Sequence, residues 1–274
     1  MNKFVKIFFN RGSSLAYAII TAVFTFVPEG AFSSFKVYAD WSDVMSCMVN
    51  RLIVGAFIFF LVNILYCVYR GKRRKVSVRG HNFSIKIEYG DIFNITGGKK
   101  VIAFDECFTV KIGDRPEDVK ENSVCGQYLR RSPMLNIQEL IDAAKIKPTE
   151  SKSAFNGKTR YGLGTLVPNG EFLLMAFTKL DENGRGYLTY EDYLGCLEKL
   201  WEQIDIYHGT DDVYITILGS KITRFDMELT QQQLLDIMIS SYRLSPKKMQ
   251  SQYTLHIICK KCEGFSLNNI FGAD

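Results

Sequence analysis

The 274-residue sequence has no internal repeat and no low-complexity tract, which excludes a repeat array or an unstructured polar tail. Regular cysteine spacing is missing as well. The seven cysteines are odd in number, which argues against a disulfide scaffold and fits a reducing compartment. Histidine is scarce, with three residues in all. The CxxC pair Cys259 and Cys262 has no second pair and only His256 nearby, so a four-ligand structural zinc set is missing and no metal site is expected. The composition is 47% hydrophobic, 13% aromatic and 23% charged, which excludes intrinsic disorder. A net charge of +5 is too small to imply nucleic acid. The basic residues are nevertheless uneven: Arg70, Lys72, Arg73, Arg74, Lys75 and Arg79 fall within ten positions. A local excess needs a local cause.

Two apolar stretches stand before it. Residues 52–69, LIVGAFIFFLVNILYCVY, are 18 residues with one Asn and no charge. At 1.5 Å per residue they reach about 27 Å, close to a bilayer's hydrocarbon core. The run extends back to Met45 if Arg51 snorkels to the interface. Residues 13–27, SSLAYAIITAVFTFV, are shorter and end at Pro28-Glu29-Gly30. With Lys3, Lys6 and Arg11 ahead of them, they read either as a signal peptide or as a first span paired with the second. Acids cluster between the runs (Glu29, Asp40, Asp43 against Lys36) and bases flank them. The positive-inside rule then places both ends in the cytoplasm, and the C-terminal part stays there under either reading. The basic cluster finds its cause at the surface of anionic lipids. The expected organisation is a membrane region over residues 1–75, with spans at about 13–35 and 46–69 and a basic juxtamembrane segment, followed by a domain over residues 76–274.

The second part alternates strands and helices. Residues 83–89 (FSIKIEY) alternate apolar and polar, a strand pattern. Residues 101–104, 172–177, 213–218 and 253–259 are short apolar runs suited to strands buried on both faces. Between them, residues 136–145 have helical spacing. Thr189 and Asp192 form a capping-box pattern opening a helix through Trp201, and Thr230 caps another. Such alternation implies a layered α/β sheet, whose ligands bind beyond the carboxyl ends of the strands. Gly90-Asp91 and Gly219-Ser220 fall at such ends. Residues 181–192, DENGRGYLTYED, imitate a calcium loop. Arg185 puts a cation where a ligand oxygen belongs, and Asp192 is one methylene short of the bidentate Glu. A glycine-rich turn before a capped helix explains the same letters.

Four stretches then line up: YGDIF at 89–93, SVCGQYL at 123–129, YGLGT at 161–165 and LGSKITR at 218–224. Their order and setting resemble the macro domain, an ADP-ribose-binding module. With the apolar pair ahead of it, the whole chain resembles the membrane-anchored macro-domain effectors of Thoeris-type antiphage defence. The fold class this implies is α/β: a two-helix transmembrane hairpin followed by a macro-like, three-layer α/β/α domain.

The resemblance also implies roles. Asp91 would accept the adenine amino hydrogen, with the Ile92 backbone beside it; on the letters alone, Asp91 is equally a turn cap at a strand end. Ser123, Val124, Gly126 and Gln127 would form the first phosphate loop. Gly219, Ser220, Lys221, Ile222, Thr223 and Arg224 would form the second, where small side chains let an anion approach backbone N–H groups. In place of the Asn-rich stretch of catalytic macro domains stand Asp105 and Glu106, which would act as a base near a ribose, or hydrogen-bond a ribose hydroxyl or a cationic group on a modified ligand. That departure favours binding over ADP-ribosyl hydrolysis, which stays the alternative. The implied protein is a non-enzymatic sensor in a bacterial inner membrane, with no cofactor. Its ligand is an ADP-ribose derivative made from NAD by a TIR-domain partner. Ligand binding would drive homo-oligomeric assembly and membrane disruption, with no nucleic-acid partner.

Overall fold

A computed structural model of the chain describes residues 11–34, 38, 40–220, 223–247 and 253–270. The chain divides into two compact units, Met1–Arg73 and Arg74–Asp274.

In the first unit, α1 (Arg11–Phe26), α2 (Glu29–Ser33) and α3 (Asp43–Gly71) follow one another. Ser42 caps α3 by accepting from the Met45 N–H. The 29 residues of α3 extend about 43 Å, long and apolar enough to cross a membrane. The expected first span at 13–35 is not one helix. It breaks after Phe26, and α2 starts behind Pro28, because proline lacks an N–H and pushes the residue before it out of helical geometry. The helices α1 and α3 pack antiparallel: Gly12 lies against Asn63 and Tyr66, Tyr17 against Phe59, and Phe24 against Gly55. Glycines let the two backbones approach closely. Arg51 lies within α3. It pairs with Glu29 at 3.1 Å and lies over the rings of Phe24 and Phe32.

The second unit is built on a sheet ordered β1-β2-β9-β7-β3-β5-β6-β8, with β4 paired to β5. The strands are β1 (Lys75–Gly80), β2 (Phe83–Tyr89), β3 (Lys99–Asp105), β4 (Leu166–Asn169), β5 (Phe172–Leu180), β6 (Gly186–Leu188), β7 (Val213–Thr216), β8 (Arg224–Phe225) and β9 (Leu255–Cys259). Strands β2, β9, β7, β3 and β5 run parallel, so their carboxyl ends share one edge. All five residues of β9 are buried, as a central strand covered on both faces requires.

Helices cover the two faces. On one, α6 (Tyr190–Tyr207) and α7 (Gln231–Leu244) bring Leu197, Trp201, Leu235 and Met238 against Val101, Met175, Ile215 and Ile257. On the other, α4 (Val124–Arg131) and α5 (Ile137–Ala143) bring Tyr128, Leu129 and Ile141 against Ile102, Phe104 and Leu174. Period-two alternation along β3 and β5 supplies both cores. Thr189 with Asp192 and Thr230 with Gln233 form complete capping boxes. The unit is the expected three-layer α/β/α arrangement.

One polar cluster ties the parallel strands together. His256 on β9 is 7% exposed. Its Nδ1 lies 2.8 Å from Glu88 Oε1 on β2 and its Nε2 3.2 Å from Asp212 Oδ2 beside β7. The ring also packs on Tyr214, 4.4 Å between centroids. His256→Ala removes the ring and leaves two carboxylates facing the gap. It is expected to cost about 2–3 kcal/mol in denaturant unfolding, with His256→Gln losing less.

Candidate functional site

The carboxyl ends of β2, β3, β5, β7 and β9 open into a cavity of about 480 Å³. Its wall draws on residues distant in sequence: Gly90–Phe93 after β2, Asp105 at the end of β3, Thr178 on β5, Ile217–Ser220 after β7 and Lys260 after β9. Residues 116–120, the start of α4 and Gln231 at the start of α7 complete it.

Asp91 stands at the N-cap of a single 3₁₀ turn, Ile92–Asn94, and its Oδ1 accepts from the Phe93 N–H at 3.0 Å. Its Oδ2 has no hydrogen-bond partner among the described residues. One oxygen caps, and the other is available to a donor in the cavity. Ile92 packs its side chain into the core beneath.

Ser123 caps α4. Its Oγ accepts from the Gly126 N–H at 2.9 Å and donates to the Lys120 carbonyl at 2.6 Å. The stretch read as a loop from sequence is therefore a helix N-terminus, with Val124, Cys125 and Gln127 in the cavity wall. Gly126 lies outside the wall. A Cβ there would meet the carbonyls of Lys120 and Glu121, so this glycine serves close packing of the helix on the turn before it. The Cys125 thiol is pushed well above its ordinary pKa by burial first and by Asp105 second, which keeps it neutral and weakly nucleophilic.

Asp105 faces the cavity, but its oxygens are engaged. Oδ1 accepts from the Cys107 N–H at 2.8 Å, and both oxygens lie 3.3 Å from the Thr109 N–H. These bonds fasten a turn in which Phe108 adopts φ +51°, a left-handed geometry that a bulky residue holds only when its surroundings enforce it. Burial raises the Asp105 carboxyl above the ordinary range, against the bonds from Thr109 and Cys107 and the charge of Lys158. Glu106 turns away from the cavity. It is 2% exposed, accepts from Ser153 Oγ at 2.6 Å and the Leu180 N–H at 3.3 Å, and pairs with Arg160 at 3.3 Å.

The turn after β7 completes the wall with Gly219, Ser220 and Thr223. Gly219 has φ +78°, and a Cβ there would lie 2.6 Å from Phe225 Cζ, so any side chain at this position is both strained and crowded. Lys221 and Ile222 lie outside the described residues. Arg224 sits on β8, not in the cavity wall, and pairs with Asp181 at 2.6 Å. Asp181 and Asp192, the ends of the calcium-like loop, are thus held by Arg224 and, at 2.7 Å, by Lys179. Gly184 of that loop lines the cavity instead.

Sequence reasoning missed residues 116–120, Gln231 and Lys260. Lys260 directly follows the last predicted strand, so the rule that pointed to Gly90 and Gly219 reaches it too. Residues 116–120 carry no such sign.

Comparison with known proteins follows the same line. The chain is 27% identical over 247 residues to the Thoeris protein ThsA of Bacillus amyloliquefaciens (strain Y2), covering 86% of this chain and 82% of that one. Among solved structures it is similar to an Oceanobacillus iheyensis macrodomain mutant with ADPR, at 9% identity and a TM-score of 0.44 over 68% of this chain and 90% of that one. It is also similar to the Oceanobacillus iheyensis macrodomain with ADP, at 10% identity and a TM-score of 0.42 over 68% and 88%. Residues 85–260, more than half of the chain and every strand end that forms the cavity, match the family described as Thoeris protein ThsA, Macro domain, and the chain belongs to that family.

Proposed function

We propose that the cavity binds an ADP-ribose-derived nucleotide and that this sensing unit controls a membrane-anchored defence effector. The observation that carries the reading is the convergence of three anion-holding features on one cavity. The N-terminus of α4, the N-terminus of α7 and the turn residues Gly219 and Ser220 all line it. Each offers N–H groups, and the two helix ends add the positive pole of their dipoles. A diphosphate fits between them. Asp91, with one free oxygen, suits the amino group of an adenine. The volume of about 480 Å³ lies within the range of small-molecule pockets, about 300–1,000 Å³.

Asp91, Ile92, Ser123, Val124, Gln127, Gly219, Ser220 and Thr223 contact the ligand in this reading, and Asp105 shapes the floor. Lys221 and Ile222 belong to the same turn by sequence. Gly126, Glu106 and Arg224 act through packing and ion pairs. A TIR-domain partner makes the ligand from NAD. Helices α1 and α3 cross the bacterial inner membrane with both chain ends in the cytoplasm. The bound form associates into a homo-oligomer that breaches the membrane, which requires the ligand to prefer one assembly state over the other.

Calorimetric titration of the full chain in detergent tests this, with ADP-ribose, NAD and the products of a TIR enzyme acting on NAD. One ADP-ribose derivative is expected to bind at micromolar affinity or tighter, about 8 kcal/mol or more, and to be recovered unchanged. It should also trigger dye release from liposomes carrying the protein. Cleavage of the ligand would instead favour a membrane-tethered ADP-ribosyl hydrolase, and binding of none of these compounds would overturn both readings.

A further inference from the structure

A second cleft of about 320 Å³ is lined by Arg74, Tyr89, Gly90, Cys259, Lys260 and Lys261. Strand register builds it. Tyr89 pairs with Cys259 in the parallel β2–β9 ladder. The Tyr89 N–H donates to the Arg74 carbonyl at 3.0 Å, and the Gly90 N–H to the Cys259 carbonyl at 3.1 Å. Arg74, Tyr89 and Cys259 therefore stand abreast, with neighbouring strands about 4.8 Å apart. This brings cations from positions 74, 260 and 261 together. The Lys261 ammonium lies 5.5 Å from the centre of the Tyr89 ring, which favours its place over the cleft.

The lining holds three cations and no carboxylate. Among the described residues, none of the three forms an ion pair. Gathered cations without a counter-ion repel one another, and a bound anion relieves that repulsion.

We propose that this cleft is a second anion site, separate in role from the nucleotide cavity, and that it takes the phosphate group of an anionic lipid. Chain length favours the lipid source. Arg74 is three residues past Gly71, the last residue of α3, a reach of at most about 10 Å. When α3 crosses a membrane, as the proposed function has it, the Arg74 side of the cleft lies at headgroup level. There, each lysine or arginine adds attraction to anionic lipid. Gly90 and Lys260 line both the cleft and the nucleotide cavity, so headgroup and nucleotide occupancy are linked through shared residues.

The test uses the full chain in detergent with short-chain phosphatidic acid, short-chain phosphatidylcholine, glycerol phosphate and inorganic phosphate, read by thermophoresis. Lys261→Gln probes the cleft, because Lys261 lines it and not the nucleotide cavity. Lys147→Gln, an exposed lysine elsewhere, controls for net charge. Phosphatidic acid is expected to bind in preference to phosphatidylcholine, with about a fivefold loss in Lys261→Gln and little change in Lys147→Gln. Equal competition by glycerol phosphate or inorganic phosphate would support the anion site with a soluble occupant in place of a lipid. No preference for phosphatidic acid and no binding of either soluble phosphate, or equal losses in the two lysine variants, would overturn the site. Extraction of the protein from membranes by carbonate would remove the premise that α3 crosses the bilayer, and it is read independently of both arms.

Discussion

Glu106→Ala is expected to lower the stability of the second unit by about 3–5 kcal/mol, the range for removing one partner of a buried ion pair. The carboxylate is almost fully buried and serves three groups from two parts of the chain: Ser153 and Arg160 from the long loop after α5, and the Leu180 N–H at the end of β5. Alanine leaves the Ser153 hydroxyl and the Leu180 amide without an acceptor and Arg160 without its counter-ion. The Arg160 side chain is 26% exposed and recovers some solvation, which places the loss toward the lower end. Glu106→Gln keeps an acceptor and removes only the charge, so about 1–2 kcal/mol is expected. Denaturant unfolding of the full chain in detergent measures both. Glu106 does not line the cavity, so nucleotide affinity, corrected for the folded fraction, should stay near that of the unsubstituted protein. A loss of affinity in folded Glu106→Gln would mean that this carboxylate reaches the ligand after all.

The opposite placement of Asp105 and Glu106 marks a limit of the sequence. Asp105 and Glu106 are neighbours of the same chemistry, and simple alternation assigns them opposite faces without saying which face carries the ligand. The β3–β5 register shifts between Phe104 and Asp105, pairing Phe104 with Ala176 but Asp105 with Thr178. The irregularity sends Glu106 under the loop and leaves Asp105 in the cavity wall. No letter pattern announces it. The strands themselves were legible, because runs such as 172–177 and 213–218 are apolar for a physical reason: both faces are covered. The two long helices were legible from their caps, since Thr189 and Thr230 are followed by partners able to answer them. Helix α4 was not. It has only eight residues with a glycine inside, and its stability comes from packing Tyr128 and Leu129 on the sheet, not from propensity. Strand β1 was hidden in the basic juxtamembrane run, where only Val76 and Val78 mark a buried face.

Gly219→Val is expected to weaken nucleotide binding by about a hundredfold or more, equivalent to roughly 3 kcal/mol, and to lower stability as well. Two independent costs act at this residue. A φ of +78° is open to glycine but costs an L-residue about 1–2 kcal/mol, and more when it is β-branched. The added Cβ would also lie 2.6 Å and 2.7 Å from two atoms of the Phe225 ring. That ring cannot simply swing aside. It packs edge-on against buried Tyr193 at 5.4 Å, and its backbone pairs with Leu188. Relief therefore comes from the backbone at Gly219 and Ser220, which shifts from its place in the cavity wall. Gly209→Ala separates the two costs. Gly209 has φ +62°, and a Cβ added there would meet nothing within 4 Å, so alanine is expected to cost about 1 kcal/mol of stability with no change in affinity. Gly219→Ala should fall between the two variants. Calorimetric titration beside denaturant unfolding reads both quantities. A folded Gly219→Val protein that binds within about threefold of the unsubstituted chain would remove this turn from the phosphate site and leave the helix N-termini to hold the anion alone.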